Sequence, residues 1–318
     1  MAETRDERLK QSLVVAKLYY QGDQSQSQIA QQLGISRPTV SRLLQFARQQ
    51  GLVQIKIVDP MQTVQALETA LKQQYAIEVH VVPTQMTPLN DLVNKVGQYA
   101  ARYLEQIVTE HDIIGIGWGK TIYAIGMNLE PDALTGVEVV QLKGGVSYAK
   151  EHTYAFESLE AFANAFHTVP QYLPLPVIFD HQQTKELVEK EQHIQHLLAL
   201  GRRANIAIYS VGTVRKTARL FQLEYLQDQE KQYLQAHAIG DIFSRYIDRR
   251  GQIVDPELNQ RTIGISLDDL RKKQHSILVA AGDAKVPAVQ AALEGGYPNC
   301  LIIDQHAAAE LLKATAAD

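Results

Sequence analysis

The chain has 318 residues, 45% hydrophobic and 21% charged, with a formal net charge of -4. That length accommodates two domains, or one small and one large, and the composition excludes global disorder. A single cysteine, Cys300, excludes an intrachain disulfide and a cysteine-rich zinc site. Residues 1–8 lack the apolar run of a leader, and no stretch reaches the ~20 apolar residues of a membrane span, so a cytoplasmic protein with no membrane partner is expected.

Charge is uneven along the chain. Residues 1–58 carry eight Lys/Arg against four Asp/Glu, or +4, which leaves -8 for the remainder. A basic head on an acidic body fits a DNA-binding module joined to something that is not one. In the head, Leu9, Leu13, Ala16 and Tyr20 recur at helical spacing and predict a first helix over 9–20 with those residues inward. A second, short helix is expected over 26–33, capped by Ser25, with Ile29, Ala30 and Leu33 inward. Gly34 suits a left-handed turn. Ser36 caps a third helix, and Pro38 falls in its first turn, where a missing N–H costs little.

Val40, Leu43, Leu44 and Ala47 supply the third helix with an apolar face. This is the pattern of a helix-turn-helix whose last helix is free to enter a major groove. Ser36, Arg37, Pro38, Thr39, Ser41, Arg42 and Gln45 are the candidate DNA-binding residues. Arg37 and Arg42 can donate to guanine or phosphate, and Gln45 can pair with adenine. Residues 51–58 read as a strand, consistent with a wing, so the first domain is set at 1–58. The plainer alternative is a generic three-helix or dimerisation head.

The body, 59–318, begins with a connector helix over 61–74. Candidate strands follow at 77–82, 112–117, 137–142, 206–211, 276–280 and 300–303. Candidate helices are 89–109, 120–128, 154–167, 182–200, 284–293 and 306–314. Apolar strands separated by amphipathic helices predict an α/β fold with a Rossmann-like parallel sheet covered on both faces. A hairpin is expected within 241–254, around Arg249-Arg250-Gly251.

Ligands of such sheets sit beyond the carboxyl ends of the strands. Four loops fall there: 117–121 with Gly119, Lys120 and Thr121; 143–145 with Lys143 and Gly144; 211–214 with Gly212 and Thr213; and 282–285 with Lys285. Glycines, lysines and a helix start suit a phosphorylated ligand. The plainer alternative is glycines that only end strands and lysines that only face solvent. No Walker A or GxGxxG spacing is present, so no cofactor is expected.

Lys143 could form a Schiff base with an open-chain sugar aldehyde, and Asp112, Asp241 and Asp283 are available carboxylates, of which Asp241 joins the eight loop residues as a candidate effector contact; His152 is nearby in sequence. No base and nucleophile can be matched, so no catalytic residue is expected. The His193/His196 pair lacks a third donor in the sequence, so no metal site is expected either.

Residues 16–57, together with GIGWGKT (115–121), VEVVQLKGG (137–145), YLPLPVIFD (172–180), VGTV (211–214), GDIFSRYID (240–248), RTIGISLDDL (261–270) and AAGDAKVPAVQAAL (280–293), resemble the SorC-type family of sugar-binding bacterial transcriptional regulators. The likeness runs over nearly the whole chain. It implies a winged helix-turn-helix followed by an effector domain similar to sugar-phosphate isomerases, without turnover. It also implies a homo-oligomer, dimer or tetramer, on double-stranded operator DNA. Family phosphate contacts fall on Gly119, Lys120, Thr121, Gly212, Thr213 and Lys285, and the lysine after the central strand is Lys143.

Within the family the likeness is nearest to regulators of deoxyribonucleoside catabolism. It implies repression relieved by deoxyribose 5-phosphate or a related sugar phosphate. Three other readings remain at this point: a sugar-phosphate isomerase or deaminase with a fused head, a regulator of another ligand, and a DNA-binding protein that senses nothing.

Overall fold

The computed structural model describes residues 5–53, 60–84, 87–88, 91–147, 153–223 and 225–315. Its contacts divide the chain into two units, Met1–Asp59 and Pro60–Asp318.

The described residues of the first unit form three helices, α1 (Arg5–Tyr20), α2 (Gln26–Leu33) and α3 (Arg37–Gln49). Ser25 caps α2 in a reciprocal box with Gln28, and Gly34 ends it in the left-handed conformation at φ 66°. Ser36 Oγ accepts from Thr39 N to cap α3, with proline in the first turn. Val40, Leu43, Leu44 and Ala47 are buried as expected, together with Val15, Ala16 and Ile29. The inward face of α1 differs from the expectation. Ser12, Val15 and Ala16 face inward, while Leu13 and Tyr20 are exposed, as is Leu33 of α2. The reason is rotation about the helix axis. Val15 and Ala16 pack into the core with Val40, Leu43, Leu44 and Ala47 of α3, and on the same side Arg8 lies over the Phe46 ring at 4.4 Å. The expected wing strand lies largely outside the described residues.

In the second unit a seven-stranded parallel sheet runs in the order β1-β10-β9-β5-β2-β3-β4. Its strands are β1 (Glu78–Val82), β2 (Ile113–Ile116), β3 (Glu138–Gln141), β4 (Pro170–Gln171), β5 (Ile206–Tyr209), β9 (His275–Ala280) and β10 (Cys300–Asp304). An antiparallel sheet of β6 (Val211–Thr213), β7 (Gly240–Ile242) and β8 (Arg245–Ile247) stands apart.

Strand alternation sends the apolar residues to two cores. Ile114, Ile116, Ile206, Ile208 and Ile302 meet Val96, Ala100 and Leu104 of α5 (Leu92–Ile107) and Ile122 and Ile125 of α6 (Lys120–Gly126). Val79, Val81, Ala207, Tyr209, Leu301 and Ile303 meet Leu71 of α4 (Pro60–Tyr75) and the helices Val286–Glu294 and Gln305–Thr315.

Three expectations are corrected here. The strand expected over 206–211 is two strands, because the chain leaves the large sheet at Ser210 and 211–213 pairs with β7 instead. The helix expected over 182–200 is two, Gln182–Val188 and Gln192–Arg203. The hairpin turns at Phe243-Ser244, both at positive φ (51° and 65°), rather than at Arg249-Arg250-Gly251, where only the bridge Ile247–Ile253 forms.

Candidate functional site

A cavity of about 360 Å³ opens at the carboxyl ends of β2 and β5, between the two sheets. Eight of the nine expected effector residues line it: Gly119, Lys120, Thr121, Lys143, Gly212, Thr213, Asp241 and Lys285. Gly144 does not. It holds the wall instead, since its carbonyl accepts from Trp118 Nε1 at 2.8 Å and a Cβ there would lie 2.5 Å from the Pro176 carbonyl oxygen.

Each side chain has a positional cause. Gly119 has φ 124° just before α6, a conformation that favours glycine, so Lys120 and Thr121 begin the helix with its first N–H groups beside the cavity. Gly212 lies opposite Asp241 in the β6–β7 ladder, and a Cβ at 212 would overlap the Asp241 carboxylate. The tight turn after β7 lets Ser244 N donate to Asp241 Oδ2 at 2.9 Å. Lys285 Nζ donates to Ser210 Oγ at 2.7 Å and Thr121 Oγ1 at 3.2 Å, tying three loops together.

Lys143 is buried, with its amine 3.2 Å from Ser244 Oγ and 3.7 Å from the centre of the Trp118 ring. Burial lowers the pKa of Lys143 and of Lys285 from the ordinary lysine value to about 8, against the opposing pull of Asp241. The same burial raises the Asp241 carboxyl, and Lys143, the Ser244 amide and Lys285 offset only part of the rise. Among the described residues four cations line the cavity (Lys120, Lys143, Arg219 and Lys285) against the one carboxylate of Asp241, a balance that favours an anionic ligand.

Ser210, Thr217, Arg219 and Gln222 also line the cavity and were not among the expected residues. Ser210 was legible, since it directly follows β5 at the sheet's ligand end. Residues 214–222 carry no periodic pattern, and nothing in their sequence places Arg219. Asp112 is not among the lining residues; it accepts from Asn205 Nδ2 at 2.8 Å and from Thr109 N at 2.8 Å. Asp283 pairs with His306 at 3.1 Å, and His152 lies outside the described residues.

In the first unit Ser36, Arg37, Pro38, Ser41, Arg42 and Gln45 are exposed. Positions 37, 41, 42 and 45 form one strip opposite the buried face of α3. Thr39 is half-buried and shares a 2.8 Å hydrogen bond with Ser36 Oγ. Exposed Arg48 extends the strip by one turn and was not anticipated.

The family model described as "Putative sugar-binding domain" matches residues 59–313, and one for the MarR family matches residues 8–60. The chain is 31% identical over 304 residues to the sorbitol operon regulator of Klebsiella pneumoniae, covering 94% of this chain and 96% of that protein. The crystal structure of the full-length regulator SorC from that organism matches with a TM-score of 0.74 at 28% identity, over 95% of this chain and 98% of that one. The chain belongs to the SorC-type family of sugar-binding transcriptional regulators. It is also 48% identical over 307 residues to the deoxyribonucleoside regulator of Bacillus subtilis, covering 96% of this chain and 98% of that protein.

A member of this family with a helix-turn-helix head and a sugar-binding body is a ligand-responsive DNA-binding transcriptional regulator and not an enzyme. Among the described residues no helix is long and apolar enough to cross a membrane.

Proposed function

We propose that this regulator represses a deoxyribonucleoside or deoxyribose catabolic operon in the cytoplasm and is released from its operator by deoxyribose 5-phosphate. The observation that carries this reading is the pairing, in one cavity, of a buried low-pKa amine with a cationic wall. Lys120, Arg219 and Lys285, with the first amides of α6, receive the phosphate. Lys143 meets the aldehyde of the open-chain sugar. Its neutral amine attacks the carbonyl carbon, and loss of water leaves an imine to Nζ. Asp241, across the cavity, holds the positive charge of the protonated imine. Among aldehyde sugar phosphates, the likeness to a deoxyribonucleoside regulator supports deoxyribose 5-phosphate as the choice.

The strip formed by Arg37, Ser41, Arg42 and Gln45 enters the major groove, and Ser36, Pro38 and Thr39 set the helix start against the backbone. One such head buries little surface on DNA. A homo-oligomer, dimer or tetramer, presents two or more heads at fixed spacing and gains by effective concentration. The effector acts by favouring an arrangement of the body that binds the operator less well.

The test is an operator-binding titration against a panel of pentose and hexose phosphates at fixed salt, because binding through backbone phosphates shifts steeply with ionic strength. Deoxyribose 5-phosphate releases the operator at lower concentration than the other sugars, and unphosphorylated deoxyribose does not release it. Release by a different sugar phosphate would transfer the reading to that ligand. Release by none of them overturns it.

A further inference from the structure

Far from the effector cavity, at the amino-terminal ends of β1 and β10, three donors of different chemistry converge. Glu78 and Cys300 open the two strands and lie opposite each other in the parallel register, and His80 follows two residues along the same face of β1. One ligand atom from each, a carboxylate oxygen, an imidazole nitrogen and the sulfur, lie within 4.8 Å of one another. Among the described residues this is the one group of three such side chains so placed. We propose that Glu78, His80 and Cys300 form a binding site for a divalent transition-metal ion of the zinc class.

The donor set selects the class of ion. Zinc takes thiolate sulfur at about 2.3 Å, imidazole nitrogen at about 2.0–2.1 Å and carboxylate oxygen at about 2.0–2.2 Å in a tetrahedron. Calcium and magnesium prefer all-oxygen shells and are disfavoured by the sulfur. Tetrahedral bonds of that length put ligand atoms roughly 3.5 Å apart; His80 Nε2 and Glu78 Oε1 now stand 2.9 Å apart and no pair exceeds 4.8 Å, so an ion asks for at most about 1 Å of adjustment at any ligand. Glu78 can supply it, because its side chain is half exposed (49%) while Cys300 is fully buried at the floor. The exposed side of Glu78 also gives an ion its entry path.

The surroundings fit a supporting role. His80 Nδ1 lies 3.1 Å from the Tyr99 hydroxyl, so an Nδ1–H donating there leaves the Nε2 lone pair for an ion. That is the nitrogen that now sits 2.9 Å from Glu78 Oε1. Tyr103 Oη donates to Glu78 Oε2 at 2.8 Å, and its ring packs 4.6 Å from the His80 ring. Partners of this kind orient the ligands of metal sites. Tyr99 and Tyr103 belong to α5, so the bound ion would join the edge strand β1 to β10 beneath that helix. The sequence hides the site, because Cys300 is more than two hundred residues from the other two donors.

The full-length chain, stripped of metal with a chelator, is titrated with Zn²⁺ and with Co²⁺ as a spectroscopic substitute. One equivalent of metal is expected, with a sulfur-to-cobalt charge-transfer band. The chain has one cysteine, so that band reports this site and no other. Cys300→Ser removes the band. His80→Ala and Glu78→Gln each weaken Zn²⁺ binding by at least about tenfold, the lower end of what even a disturbed supporting partner costs. If Cys300→Ser does not fold, the His80→Ala and Glu78→Gln titrations decide. No charge-transfer band in the unmodified chain, or Zn²⁺ affinity unchanged in both of those variants, overturns the proposal and assigns any bound metal elsewhere, for instance to His193 and His196.

Discussion

Titrating the pH at which Lys143 captures an aldehyde tests the chemistry of the cavity most directly. Burial lowers this amine to about 8. An ordinary lysine at about 10.4 is neutral in only about one molecule in several thousand at pH 7, whereas an amine at about 8 is neutral in about one in ten. The site therefore raises the reactive fraction by about 200-fold at neutral pH. The sign follows from the direction of the shift. Only the neutral form attacks a carbonyl, so capture rises with pH up to about 8 and levels off above it. The assay incubates the protein with deoxyribose 5-phosphate across pH 6–10, quenches with borohydride and follows the adduct by intact mass. A rate that keeps rising about tenfold per pH unit through pH 9 would mean an ordinary, solvated lysine and would refute the reasoning. Lys143→Arg keeps a cation at the site but forms no adduct; an adduct on that variant would place the chemistry on another residue.

Arg42→Ala weakens operator binding and leaves effector affinity unchanged. The cost is about 1–3 kcal/mol if the side chain reads a base, and if it touches phosphate the salt slope falls by about one; a gel-shift series at several salt concentrations distinguishes the two. Gly212→Ala places a methyl carbon 2.9 Å from Asp241 Cγ, too close for the carboxylate to stay where it is. It is expected to destabilise the body by about 1–3 kcal/mol and to reduce effector-induced release, read by denaturant melts and by operator titration. Ser36→Ala removes the acceptor of Thr39 N at the start of α3. It costs the head about 1 kcal/mol, visible as faster hydrogen exchange across residues 37–49 in the intact chain.

Much of this molecule is legible in its sequence because local rules and tertiary packing agree. The caps at Ser25 and Ser36, the left-handed Gly34 and the buried face of α3 follow from side-chain chemistry within a few residues. The strands of the large sheet are apolar runs because both faces are covered. The failures arise where distant contacts decide. Ile206–Val211 reads as one apolar run, yet the chain changes sheets at Ser210 because 211–213 finds its partners in β7. The hairpin bends at Phe243-Ser244, where neither residue signals a left-handed turn, while the glycine that does signal one lies further on at 251. The effector loops were located by a rule about sheets. Arg219 was missed because its place depends on how 214–222 packs over the opening. The inward face of α1 was misjudged because four apolar residues at helical spacing fitted one face, whereas packing against α2 and α3 buries Val15 and Ala16 instead of Leu13 and Tyr20.

The Val81 amide on the rim strand β1 is taken up by Glu68 Oε1 of α4 at 2.8 Å. Each outward-facing main-chain donor on such a rim is a place where a foreign strand could latch on and extend the sheet. Here a carboxylate from the chain's own connecting helix already fills one of them. A strand arriving along this border finds that position already taken, so the connecting helix guards the rim at Val81.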